Sequence, residues 1–248
     1  MGKNVPRFSN RHGILQIVQK YVSTNIYGGK FVKVYNSLGP NPRMLRMFIL
    51  EKGIEIPFIE TDLMGMANRK PPYTDKNPGG QMPALELDDG TVIGETVAIC
   101  EYLEDVHPTP ALIGSTPKEK ATHRQWQRRV ELNITEHMYN GFRYGVGADM
   151  FRERMRLIPE SVDGLTTLVQ EKLAWLDGLM GNNDYICGSE MRMVDLILYC
   201  AMDFGTGVGQ SISSDLKNLT AWFSRIDSRP SAEASKHQTT AEVGMRGI

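Results

Sequence analysis

The apolar positions of this chain change their spacing along its length. Phe31-Val-Lys-Val-Tyr35 reads as a first strand, and Ile56-Pro-Phe-Ile-Glu-Thr-Asp62 as a second. Between them Leu45, Phe48 and Ile49 fall on one helical face. Asn41-Pro42 is expected to open that helix, with Asn as N-cap and Pro at the first helical position. Lys52-Gly53 closes it with a basic last turn and a glycine C-cap. Strand, helix and strand imply a parallel pair with a right-handed crossover. Pro83 stands just before Ala84-Leu-Glu-Leu87; lacking an N–H, it belongs at the first residue of a strand. Asp88-Asp89-Gly90 reads as a tight turn into Thr91-Val92-Ile93. In the stretch Glu95–Val106, Ile99, Tyr102, Leu103 and Val106 recur at i, i+3, i+4 and i+7, a helix that His107-Pro-Thr-Pro110 breaks.

From Pro117 onward the pattern contains no convincing strand. Residues 117–144, 161–181, 193–204 and 215–227 read as helices, with Trp126, Leu173, Trp175 and Leu176 as core. The expected fold is a small α/β N-terminal domain over residues 31–110 and an all-α domain over 117–232, preceded by an extension (1–30) and followed by a loose tail (233–248). The extension carries Ile14, Leu15, Val18 and Val22 on one helical face and no acidic residue. A transit-like segment, a mis-assigned start and an arm packed on the body are its three readings. It lacks the long apolar centre of a secretory signal.

Composition excludes more than it selects. The 248 residues hold 28 basic and 29 acidic side chains, a net charge of -1, so nothing draws the whole chain toward nucleic acid or a membrane surface. The run Leu196–Met202 is too short to span a bilayer. Cys100, Cys187 and Cys200 form no CxxC pair and no metal spacing; Cys100 and Cys200 fall in apolar helical patterns as small buried hydrophobes. This usage fits a reducing, cytoplasmic setting.

One stretch carries candidate chemistry. Asn77-Pro78-x-Gly80-Gln81-x-Pro83, a hairpin, Glu95-Thr96 and then Ile99-x-Glu101-Tyr102-Leu103 resembles the glutathione-binding half of the glutathione S-transferases. Thr96 stands where that family usually has Ser. The resemblance runs from about Phe31 to Ala232, including Gly188, Asp195 and the closing Arg229-Pro230. It implies a thioredoxin-like N-terminal domain (βαβ-αββα) with a cis Pro83, a helical C-terminal domain, glutathione as co-substrate and no metal. It also implies a homodimer acting in detoxification. The family's capping Ser or Thr three residues before Asp195 is replaced by Arg192, which cannot accept from an N–H; Ser189 is the alternative cap. By the same resemblance Glu95 takes the γ-glutamyl ammonium and Thr96 the adjacent carboxylate at a helix N-terminus, which favours anions. The backbone of Met82 pairs with the cysteinyl unit as an added strand. Arg69 and Lys70 face the glycyl carboxylate, and Gln81 also reaches the ligand.

The thiol must ionise to attack. With a pKa of about 8.5 it is only ~3% thiolate at pH 7. Lowering the pKa by about two units requires ~2.7 kcal/mol, which one or two hydrogen bonds to the charged sulfur supply at about 1.5–3 kcal/mol each. Asn41, in Gly39-Pro40-Asn41-Pro42, falls on the Asn of family members with a Thr-Pro-Asn-Gly type motif and is the preferred donor; Ser37 competes, and Tyr35 is weaker. Met138, Tyr139, Phe142 and Tyr144 are expected to form the electrophile pocket, though core or dimer interface also fits them. Three readings follow: conjugation of an apolar electrophile, narrower chemistry such as the aryl-ether cleavage of β-etherases, which the first loop faintly resembles, or a non-enzymatic binding protein.

Overall fold

The computed structural model of the protein describes residues 32–240 and 246–248, so Phe31 and the 1–30 extension lie outside the described residues. Among the described residues four short strands form one sheet: β1 (Lys33–Asn36), β2 (Phe58–Glu60), β3 (Ala84–Glu86) and β4 (Val92–Ile93), in the order β2-β1-β3-β4. β1 and β2 are parallel, with Val34 opposite Phe58. β3 runs antiparallel to β1, with Leu85 opposite Val34, and β4 antiparallel to β3. Val34 and Leu85 are fully buried beneath α1 (Pro40–Lys52) and α3 (Thr96–Val106). Between β2 and β3 lie a 3-10 turn (Ala67–Arg69) and the four-residue α2 (Tyr73–Lys76), which the apolar pattern did not reveal.

The start of α1 corrects the expected cap. Pro40 is the first helical residue and Gly39 the N-cap, at φ 122°, a backbone region that favours glycine. Proline's fixed φ suits the first helical position. Asn41 is therefore the second residue of the helix. It is exposed and caps nothing. At the other end Gly53 adopts the left-handed conformation and its N–H bonds the last carbonyls, Ile49 and Leu50.

The second domain is helical among the described residues: α4 (Pro117–Val130), a π-helical turn (Glu131–Thr135), α5 (Glu136–Tyr144), α6 (Ala148–Phe151), α7 (Val162–Met180), α8 (Met193–Gly207), α9 (Lys217–Asp227) and α10 (Pro230–Ala234). α4 starts on a full capping box, Thr116 with Glu119. α8 is the central helix: Leu196, Leu198, Tyr199, Cys200, Ala201 and Met202 are all fully buried. One apolar core runs from α1 through α8 to α7 and α9.

Polar groups join the domains. Buried Arg43 of α1 donates to Asp203 of α8 at 2.5 Å, to Tyr199 Oη and to the Ala232 carbonyl. Buried Lys52 donates to Glu104 at 2.7 Å and to the Pro110 carbonyl, while Glu104 accepts the N–H groups of Leu112 and Ile113. The linker is thus tied to the end of α1. At the start of α8, Asp195 accepts from the Arg192 and Ile186 N–H groups and from Trp222 Nε1. The Arg192 side chain turns away to the Ala111 carbonyl and Glu190. Ser189 lies outside the helix, which starts at Met193 with no side-chain cap.

Two further expectations are corrected. Trp175 is 38% exposed, tilted against half-buried Trp126 with ring centroids 6.5 Å apart, so it is surface rather than core. The chain end is not a loose tail where it is described. Ile248 is buried, its carbonyl accepts from the His237 N–H, and Arg246 pairs with Asp203.

Candidate functional site

The loop before β3 is held rigidly. Tyr73 Oη and Asn77 Nδ2 both donate to the Gln81 carbonyl, at 2.5 and 2.9 Å. Asn68 Nδ2 donates to the Gly80 carbonyl at 2.6 Å. Gly80 has φ 60°, and a Cβ there would stand 2.9 Å from the Asn68 carbonyl oxygen. Only glycine lets these two backbones approach. The Met82–Pro83 peptide bond is cis.

After the β3–β4 hairpin, Glu95 is the N-cap of α3 with φ 62° and ψ 118°. A non-glycine residue with positive φ is uncommon, and such strain concentrates at ligand sites. Thr96 begins α3, so its N–H is one of the unpaired donors of the helix N-terminus.

These elements form one wall of a cleft of about 400 Å³, with Gln81, Met82, Pro83, Glu95 and Thr96 on the sheet side and Asn41 at the mouth of α1. The facing wall comes from α4, the π-helical turn and α5, including Arg128, Glu131, Thr135, Tyr139 and Arg143. π-helical turns recur at functional sites; this one turns Glu131, Leu132 and Thr135 into the cleft. A second, more apolar cavity of about 130 Å³ adjoins it, with Leu38, Phe142, Phe151, Phe204, Arg69 and Arg154 in its wall. Asn41, Gln81, Met82, Tyr139 and Arg143 line both.

Sequence-predicted residues divide accordingly. Asn41, Gln81, Met82, Pro83, Glu95, Thr96, Tyr139, Phe142 and Arg69 all line one or both cavities. Ser37 does not: it is buried, and its Oγ donates to the Thr61 carbonyl at 2.7 Å. Tyr35 is likewise occupied, donating to Glu86 at 2.5 Å. Lys70 is exposed and lines neither cavity. Met138 of α5 is fully buried core and lines neither cavity; it is turned about 100° around the helix from Tyr139. Tyr144 lines neither cavity. The pattern missed Arg154 and Phe151, which lie around a short helix with too few residues to show periodicity. Burial pushes the Tyr139 phenol well above its usual range, so it stays protonated. Among the described residues no group of three or more His, Cys, Asp or Glu is placed to hold a metal, and no helix is long and apolar enough to cross a membrane.

Comparison with known proteins agrees with this architecture. The family model for the glutathione S-transferase N-terminal domain matches residues 39–106, and that for the C-terminal domain matches residues 158–230. Glutathione S-transferase 2 of Saccharomyces cerevisiae is 28% identical over 205 residues, covering 79% of this chain and 84% of that protein. The crystal structure of a glutathione S-transferase domain-containing protein from Marinobacter aquaeolei superimposes with a TM-score of 0.75 at 31% identity, covering 80% of this chain and 98% of that one. Elongation factor 1-gamma of Prunus avium is 25% identical over 180 residues, covering 72% of this chain but 41% of that protein. The chain belongs to the glutathione S-transferase family, with its thioredoxin-like N-terminal and helical C-terminal domains.

Proposed function

We propose that the protein is a glutathione transferase: it binds glutathione along the loop before β3, ionises the thiol beside Asn41 and directs the thiolate at an apolar electrophile in the adjoining cavity. A sulfur–carbon bond forms, and the leaving group departs with its bonding pair. The observation that carries this reading is the set of residues common to both cavities, Asn41, Gln81, Met82, Tyr139 and Arg143. In this reading a tripeptide laid along Met82 brings its sulfur to that junction, within reach of both substrates' spaces. Glu95 meets the γ-glutamyl ammonium and Thr96 its carboxylate, where the N–H groups of α3 favour an anion. Arg69 takes the glycyl carboxylate. Asn41 donates to the sulfur, since Ser37 and Tyr35 are bonded elsewhere.

Calorimetry tests the binding step. Glu95→Ala is expected to weaken glutathione at least tenfold, ~1.4 kcal/mol; unchanged affinity removes the ligand from this site. Product analysis with glutathione and a panel of aryl halides and aryl ethers tests the chemistry, because ether cleavage differs only in expelling an aryloxide. A non-enzymatic role is the second reading. The similarity to elongation factor 1-gamma and an amide in place of a hydroxyl at α1 favour it, and binding without any conjugate would establish it. We further propose a two-fold homodimer joining the N-terminal domain of one copy to the helical domain of the other, since closed dimers are the commonest oligomers. A monomer mass in light scattering at micromolar concentration contradicts this.

A further inference from the structure

The smaller cavity is both aromatic and cationic. Phe142 packs edge-on against Phe204 and Phe151, with centroids 4.9 and 5.9 Å apart. At about 130 Å³ the space approaches that of a cavity of roughly 150 Å³ known to accept one benzene ring. Two arginines from different domains face it: Arg69, from the 3-10 turn, and Arg154, just after α6. Neither has a carboxylate partner among the described residues. Arg69 reaches only the Gly79 carbonyl at 3.1 Å, and Arg154 only the Leu63 carbonyl at 3.4 Å. The Nε of each is buried with no acceptor among the described residues. Nearby arginines are paired: Arg152 with Asp149 at 2.7 Å, and Arg143 with Asn140 at 3.0 Å and Glu136 at 3.9 Å. Burial and the charge of Arg69 hold the Arg154 guanidinium below the usual arginine range. Two like charges facing one partly dry cavity are unfavourable unless an anion joins them.

Glutathione brings one carboxylate to this end, the glycyl one, and Arg69 is the residue of the N-terminal domain that takes it. Arg154 is then left over, on the electrophile's side and against the Phe151 ring at 5.5 Å. We propose that the second substrate is an aromatic electrophile bearing a carboxylate, and that Arg154 is the group that recognises it. The planar guanidinium fork matches a carboxylate through paired N–H donors, while the four rings, Tyr139, Phe142, Phe151 and Phe204, take the aromatic body. This deepens, and rests on, the transferase reading above.

The test uses unreactive probes, so it reads recognition apart from turnover. The protein is titrated in a calorimeter with 3-nitrobenzoate and with 3-nitrobenzamide, in saturating S-methylglutathione, which fills the peptide site without a free thiol. The acid is expected to bind at least tenfold more tightly than the amide. In Arg154→Gln that ratio falls toward one, and in Arg154→Lys, which keeps the charge without the fork, it falls only several-fold. Circular dichroism confirms that both variants are folded, and S-methylglutathione affinity stays within about twofold. Equal affinity for acid and amide, no acid binding at millimolar concentration, or a preference that survives Arg154→Gln overturns the proposal. So does a loss of S-methylglutathione affinity in Arg154→Gln, since Arg154 would then serve the glycyl carboxylate. Failure of S-methylglutathione to bind the unaltered protein instead sinks the transferase reading, and the acid-to-amide ratio still decides the role of Arg154.

Discussion

Asn41→Asp should make the protein no less stable and a worse activator of thiols. Asn41 is exposed at the second position of α1 and makes no cap bond, so its side chain contributes little to the fold. A carboxylate there sits near the positive end of the helix dipole, worth about 0.3–1 kcal/mol of added stability. In the proposed complex the same charge faces the bound sulfur. Two unit charges about 4 Å apart repel by ~1 kcal/mol in water and ~4 kcal/mol in a surface cleft of intermediate dielectric. At 1.36 kcal/mol per unit, the bound thiol pKa rises by about one to three units. Asn41→Ala loses only the donated hydrogen bond and should raise the pKa by about one to two units, with stability within about 0.5 kcal/mol of the parent. Thermal melts and ultraviolet thiolate titrations are run on all three proteins. A thiol that titrates identically in parent and Asn41→Asp refutes the assignment. A loss of ~1 kcal/mol in Asn41→Ala would mean that Asn41 caps the helix after all.

His123 of α4 is buried, neither ring nitrogen has a hydrogen-bond partner among the described residues, and burial pushes its pKa down to about 4. The unfolded chain protonates near pH 6.5 while the folded one does not, so stability is full above that pH and is lost as pH falls toward 4. The loss reaches roughly 3 kcal/mol. Denaturant melts should therefore show the parent losing roughly 3 kcal/mol relative to His123→Gln on acidification across this window; parallel curves contradict this. Lys52→Met leaves Glu104 buried beside the linker without its cation and is expected to cost about 3–5 kcal/mol in urea unfolding. A change under 1 kcal/mol would mean that the linker's N–H groups satisfy that carboxylate alone.

The fold was legible where backbone chemistry leaves a mark in residue type. Pro83, the Asp88-Asp89-Gly90 turn and the Lys52-Gly53 stop each restrict the backbone in a way that few other residues do. Long amphipathic helices showed their period. The four-residue helices at 73–76 and 148–151 did not, because one turn cannot display a repeat. The start of α1 slipped for a different reason: Asn41 is a strong N-cap by type, yet Gly39 and Pro40 satisfy that corner first. The polar joints between domains were not legible either. Nothing in the local pattern marks Arg43 as a fully buried side chain meeting Asp203, 160 residues away. Within the site, the motif residues before β3 and at α3 line the cleft as a group. Ser37 did not: it lies just past the end of β1, and its hydroxyl donates to the Thr61 carbonyl instead. Met138 and Tyr139 are adjacent, and only the rotation of α5 decides which one meets the cavity.

In the proposed function the cleft between the two domains binds glutathione with its sulfur beside Asn41 and holds that sulfur ionised. The most direct measurement is a pH titration of thiolate absorbance for glutathione bound to the unaltered protein, corrected for free glutathione. The bound thiol pKa is expected about two units below the free value of about 8.5. A bound thiol that titrates like free glutathione, or a protein that does not bind glutathione, would contradict it.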